Sequence, residues 1–198
     1  MSEASLPRLS YAELSVVPSR FRPAVDPASR AVRIVHLGIG AFHRAHQAYY
    51  TERCGDWAIC GVTQRSGDVV EQLVPQDGRY TLVERGSDRT SLSIIGAVRQ
   101  VMFAGADTDA VVRRIADPDV SIVTTTVTEK GYLHDPVRQV LRLDDPEIVA
   151  DLAGRPPRTV VGQISAAVAA RAARSASPLT VLCCDNLPSN GVLLVGLV

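Results

Sequence analysis

His36-Leu37-Gly38-Ile39-Gly40-Ala41-Phe42-His43 is the stretch on which the reading of this chain turns. Residues 32–37 before it accumulate Val, Ile and Leu around Arg33 and His36, as a strand buried on both faces of a parallel sheet does. Residues 42–53 after it run without Pro or Gly and predict a helix, and residues 57–62 predict a second strand. Strand, glycine turn, helix and strand within roughly thirty residues make one βαβ crossover. Gly38 permits a sharp exit from the strand, and Gly40 lets backbone approach a pyrophosphate closely. The amides that open the following helix would add to the attraction for such an anion. A dinucleotide loop usually has a third glycine where this chain has His43. Taken alone, the turn is therefore also compatible with an ordinary strand-to-helix connection.

Working outward, residues 80–84 and 92–98 read as two strands around the polar turn 85–90, a β-hairpin. Residues 106–115 and 159–174 have helical spacing, while 120–126 and 179–184 read as further buried strands. Residues 191–198 resemble the start of a helix. Alternating strand and helix signals predict an α/β fold, a doubly wound, mainly parallel sheet with a hairpin insertion. Residues 1–30, with prolines at 7, 18, 23 and 27, read as an irregular arm in which residues 11–17 are the piece expected to pack. Residues 31–198 are then the dinucleotide-binding domain.

Twenty-one basic residues balance twenty-one acidic ones, so net charge gives no case for nucleic acid or an anionic membrane as partner. No run approaches the roughly 18 apolar residues of a membrane span. Nor does the N-terminus carry the apolar core of a signal peptide. Cys54, Cys60, Cys183 and Cys184 have no CxxC spacing, which argues against a zinc site or a disulfide framework and for a reduced, cytoplasmic setting. His43 and His46 are three apart on one predicted helix, but two ligands do not make a metal site. Packing and capping are their expected use, and no metal is expected.

The acid that often follows the second strand of NAD sites, to hold the ribose hydroxyls, has no immediate counterpart here. Residues 63–68 read Thr-Gln-Arg-Ser-Gly-Asp. Arg65 suits a 2′-phosphate and Asp68 suits a ribose, so this pattern leaves NAD and NADP both open. Arg44, at the helix start, is a plausible phosphate neighbour because a guanidinium bridges two phosphate oxygens.

Residues 38–50, Gly-Ile-Gly-Ala-Phe-His-Arg-Ala-His-Gln-Ala-Tyr-Tyr, resemble the opening signature of the mannitol dehydrogenase family of long-chain polyol dehydrogenases. Three more segments resemble it in the same order: Gln76-Asp-Gly-Arg-Tyr80, Val127-Thr-Glu-Lys-Gly-Tyr132 and Cys184-Asp-Asn-Leu-Pro-Ser-Asn-Gly191. In that family G-x-G-x-F-H stands in place of the third glycine, which accounts for His43. The resemblance implies a Rossmann domain and hydride transfer to NAD, with NADP kept open. The substrate it implies is the secondary CH–OH of a polyol, or a hexuronate–ketose pair, without a catalytic metal. Gly38, Ile39, Gly40, Ala41, Phe42 and Thr126 are then expected at the cofactor, with Arg44, Arg65 and Asp68 as charged neighbours.

Asn186 matches the family asparagine that donates to the substrate oxygen, although an Asn before Pro188 also suits a turn. Glu129 matches a glutamate near the proton path of the catalytic lysine, although a surface ion pair is the competing use. The family's lysine lies in a helical C-terminal domain that this sequence lacks. The only lysine, Lys130, does not match it. The chain is therefore expected to be a truncated cofactor-binding half. Its exposed docking face is expected to favour self-association, and a non-catalytic nucleotide-binding module is the alternative. Thr124 to Thr126 end a strand beside the expected nicotinamide, with plain sheet residues as the competing use.

Overall fold

The computed structural model describes residues 8–23, 25–174 and 177–198, so the first seven residues of the expected arm lie outside the described residues. The chain enters the core as β1 (Ala31–Leu37), turns into α1 (Ala41–Ala45) and α2 (Gln47–Cys54), and returns as β2 (Trp57–Thr63). A short α3 (Asp68–Leu73) leads to β3 (Tyr80–Arg85) and β4 (Thr90–Ile95), then β5 (Val98–Phe103) and α4 (Thr108–Ala116). Next come β6 (Ile122–Thr125), the small β7 (His134–Asp135) and β8 (Val140–Leu141), and α5 (Pro146–Leu152). The described chain closes with α6 (Val160–Ala172), β9 (Thr180–Cys183) and α7 (Asn190–Leu197).

Five strands form one sheet in the order β5-β2-β1-β6-β9, and every neighbouring pair is parallel. β1 is central, with Leu37 opposite Val62 on one side and Thr125 on the other. Alternation along the strands feeds two cores. Ile34 and Ile59 pack with Ala48, Leu73 and Val98 on one face, while Val35, Leu37, Cys60 and Val62 pack with α4 and α6 on the other. Each such side chain contributes about 1.5–3 kcal/mol on burial. This is the doubly wound α/β architecture expected from the strand–helix alternation. β3 and β4 form the hairpin as a separate antiparallel pair, running from Tyr80 opposite Ile95 to Arg85 opposite Thr90.

Three local expectations are corrected. The single helix over residues 42–53 is two helices, because His46 leaves helical geometry at φ −118° and ψ −86°. A straight helix would place residue 47 below His43. The break re-phases the buried face by one residue, onto Ala48 and Glu52. The second hairpin strand ends at Ile95 rather than at residue 98, and Val98 instead begins β5, which joins the main sheet beside β2. An edge strand with Arg99 half-buried and Gln100 exposed does not show the continuous apolar run of a central strand. In the arm, Ala12–Val16 buries no residue, whereas Pro27 and Arg30 are buried. Arg30 makes a two-pronged ion pair with Glu52 at 2.9 and 2.7 Å, and Glu52 also accepts the Gly96 amide at 2.8 Å. Among the described residues, no helix is long and apolar enough to cross a membrane.

Candidate functional site

The site begins where β1 ends. Gly38 has φ +106°, and a Cβ there would collide with the Thr126 carbonyl, so only glycine fits. The amides of Gly38 and Ile39 both donate to the Val62 carbonyl, at 2.8 and 3.1 Å, and the Gly40 amide turns back onto the Gly38 carbonyl at 2.6 Å. The amides of the turn are thus engaged within the protein. Those without an acceptor inside the helix are the next ones, at Ala41 and Phe42, which open α1 without a side-chain cap. α1 has five residues, so its dipole contributes little and the local amides matter more. At Gly40 a Cβ would meet nothing closer than 3.8 Å. The room left there lies outside the protein's own packing. Ile39 is buried over Gly61, where any side chain would overlap it.

His43, in the place of the third glycine, is fully buried and stacks on the equally buried His36, with ring centroids 3.5 Å apart and planes 16° from parallel. Burial holds both rings neutral. It pushes the His43 pKa down to about 4, and burial together with His43 keeps His36 well below the ordinary histidine range.

Two cavities of about 390 Å³ each share Thr126 and Thr128 in their walls. The first lies between residues 38–40, the end of β2 at residues 63–65, the loop after β6, and the start of α6 at residues 158–160. The second is lined by Phe42, Thr126, Thr128, Glu129, Asn186 and Leu187 among others. Both sit beyond the carboxyl ends of β1 and β6, where the sheet's winding reverses and open α/β sheets take their ligands. A larger groove, about 870 Å³, lies along the outer edge of β5 beside Arg79 and Arg99, away from the glycine turn. Asp77 and Gly78 of the second family-like segment border it. Both have positive φ and form the tight turn into β3, a structural use of that segment.

Gly38, Ile39, Gly40, Arg65 and Thr126 all line the first cavity. Phe42, Glu129 and Asn186 gather around the second, all with exposed side chains. Arg44, Asp68 and Ala41 line neither. Ala41 is at hand only through its backbone. Arg44 sits at the far end of α1, faces Gln72, Gln76 and Tyr80, and receives the Tyr80 hydroxyl on its carbonyl at 2.7 Å. Asp68 opens α3 as an exposed residue, its amide donating to the Ser66 hydroxyl at 3.1 Å.

Glu147 and Arg158 join Lys130 in the wall of the first cavity, and neither was singled out from the sequence. A signal was available. Arg158 precedes Thr159, whose hydroxyl caps α6 by accepting the Gly162 amide at 2.9 Å. Helices that follow parallel strands begin at the ligand edge of the sheet.

Behind the second cavity, Tyr132 is buried and donates its phenol hydrogen to Asp185. Thr125 donates to the same carboxylate oxygen at 3.0 Å. The Asn190 amide donates to the Asp185 carbonyl at 2.9 Å and to that of Cys183 at 3.3 Å. Residues 183–190 are thereby held as a fixed turn from which Asn186 projects.

Residues 32–198 match the family model of the mannitol dehydrogenase Rossmann domain. The chain belongs to the mannitol dehydrogenase family. It is 44% identical over 167 residues to a mannitol 2-dehydrogenase of Pyrenophora tritici-repentis, covering 80% of this chain and 30% of that protein. It is 38% identical over 180 residues to a D-mannonate oxidoreductase of Escherichia coli, covering 86% of this chain and 37% of the relative. The solved structure of Pseudomonas fluorescens mannitol 2-dehydrogenase, a ternary complex with NAD and D-mannitol, superposes with a TM-score of 0.87 at 38% identity. That match covers 94% of this chain and 40% of the other. This mannitol dehydrogenase family member thus carries the family's Rossmann domain and spans about a third of the length of the curated relatives it matches.

Proposed function

We propose that this chain is the cofactor-binding part of an NAD-dependent oxidoreductase acting on the secondary CH–OH of a mannitol-like polyol or of a hexuronate–ketose pair. The observation that carries this reading is the meeting of two cavities at Thr126 and Thr128, one against the glycine turn and the other against Glu129 and Asn186. A bound nicotinamide dinucleotide would supply the hydride acceptor. The residues present fit such a group: Gly38 tolerates no Cβ, Gly40 leaves space beyond the protein's own packing, and the amides of Ala41 and Phe42 suit a diphosphate oxygen.

Asn186 is read as the amide that donates to the substrate oxygen while it gains negative charge, a donor whose loss typically costs ~3 kcal/mol. Glu129, across the same cavity, is read as part of the route by which the hydroxyl proton leaves. NAD is preferred over NADP on family resemblance, against the presence of Arg65 in the cleft wall and the absence of Asp68 from it. A cytoplasmic setting is proposed on cysteine spacing in the sequence that suits neither a disulfide framework nor a zinc site. The exposed Phe42, Leu182, Val192 and Val195 support self-association.

A second reading is favoured by one observation. Lys130, the only lysine, lines the dinucleotide cleft and not the cavity of Asn186. By itself the 198-residue chain then binds nucleotide without turnover. Fluorescence titration with NADH and NADPH, paired with assays of NADH formation from mannitol, arabinitol, sorbitol and hexuronates, tests both readings. NADH binding without turnover is expected. Tighter NADPH binding would reverse the cofactor choice, and robust turnover would place a base within these residues.

A further inference from the structure

His36 lies directly under the glycine turn, and its hydrogen bonds assign its protons. The Gly38 carbonyl can only accept, so the His36 Nε2 that faces it at 3.2 Å carries hydrogen. The same nitrogen is 2.9 Å from Thr126 Oγ1, whose own hydrogen goes to the Gly38 carbonyl at 2.8 Å. A neutral ring then accepts at Nδ1, and the Thr124 hydroxyl donates there at 2.7 Å. Every polar atom of His36 is matched in that one tautomer. His43 lies flat against the ring, with its own Nδ1 donating to Gln47 Oε1 at 3.2 Å. The stack leaves His36 no room to tilt.

Three donors therefore converge on one carbonyl: the Gly40 amide, the Thr126 hydroxyl and His36 Nε2. A carbonyl oxygen turned toward an incoming diphosphate would repel it, whereas one held inward leaves N–H groups as the nearest polarity. We propose that His36, with His43 stacked on it, is a positioning residue for the dinucleotide's diphosphate: it holds the Gly38 carbonyl inward so that the cleft presents the amides of Ala41 and Phe42. This rests on the dinucleotide reading above. It also gives a physical use to the histidine that replaces the third glycine.

The test compares NADH, followed by fluorescence, with adenosine, which lacks the diphosphate, followed by ligand-observed NMR on the same protein. His36→Leu removes the donor and is expected to weaken NADH by about tenfold or more while leaving adenosine unchanged. His36→Gln places an amide N–H near the former Nε2 and is expected to restore most of the NADH affinity. Should His36→Leu not fold, Thr126→Val removes the second side-chain donor and Thr126→Ser returns it, read against the same two ligands. Equal losses for NADH and adenosine overturn the proposal, as does NADH affinity unchanged in both His36→Leu and Thr126→Val. Wild-type protein that binds no NADH overturns the functional reading together with it.

Discussion

Tyr132 donates its phenol hydrogen to Asp185, and this bond joins the two segments that border the cavity of Glu129 and Asn186. Burial, and then the bond to Asp185, raise the Tyr132 pKa, so the phenol stays a donor throughout the working range of pH. Glu129 stands three residues before Tyr132, and Asn186 follows Asp185 directly. Their separation is set by a bond that neither of them makes.

Tyr132→Phe keeps the ring and removes that donor, leaving the Asp185 carboxylate to Thr125 alone. The loss of a partner for this half-buried charged acceptor is expected to cost about 1–3 kcal/mol. Urea denaturation should show a lowered midpoint with an unchanged slope. A midpoint equal to wild type would mean that the bond contributes nothing to the fold.

Glu52→Ala is expected to be the most damaging single change in the arm's attachment. It strands the buried Arg30 guanidinium and leaves the Gly96 amide without its acceptor. Breaking one partner of a buried pair costs about 3–5 kcal/mol. Replacing both Arg30 and Glu52 with Met should recover much of that loss, because the penalty comes from the uncompensated charge. Thermal melts of the single and double variants make the comparison.

Gly38→Ala and Gly40→Ala should separate folding from binding. At Gly38 the added carbon meets the Thr126 carbonyl at φ +106°, so a loss of stability is expected on melting. At Gly40 φ is −93° and the nearest atom is 3.8 Å away, so the variant should melt like wild type. Any fall in its NADH affinity then reports a ligand that approaches the backbone at residue 40.

Stability should fall as the pH is lowered from about 6.5 toward about 4. His43 in the folded protein is neutral down to about pH 4, because burial disfavours its charged form, whereas the unfolded chain takes up the proton near the ordinary value of 6.5. Between these limits the unfolded state binds more protons, so stability rises with pH, levels off above about 6.5, and is lost on acidification. For His43 alone the span is worth about 3 kcal/mol. His36, shifted in the same direction, steepens the slope. Of the groups that raise or lower the His43 pKa, Gln47 raises it through a hydrogen bond, while Arg44 and His46 lower it by charge. His43→Phe, which retains an aromatic stack, should flatten the dependence measured by denaturation across this range.

The sequence by itself determined the class of the fold and picked out segments that line the candidate site. Strands buried on both faces concentrate Val, Ile and Leu, so residues 32–37 and 57–62 stood out even with Arg33 and His36 among them. Gly38 was legible because a sharp exit from a buried strand into a phosphate-loop turn calls for glycine; the Thr126 carbonyl that excludes any Cβ there is visible only in the fold. The segments containing Glu129 and Asn186 were found through their resemblance to family motifs, and the structure brings them to one cavity.

Tertiary structure alone decided the rest. Periodicity states that a helix has a buried face but not its phase relative to a distant partner, so the break at His46 and the placement of Arg44 beside Tyr80, away from the cleft, were hidden. β5 was hidden because an edge strand has one side free of neighbours and need not be apolar throughout. Arg158 and Glu147 reach the cleft only because α5 and α6 pack where they do. The bond between Tyr132 and Asp185 spans 53 residues of chain, and no local pattern encodes a contact at that separation.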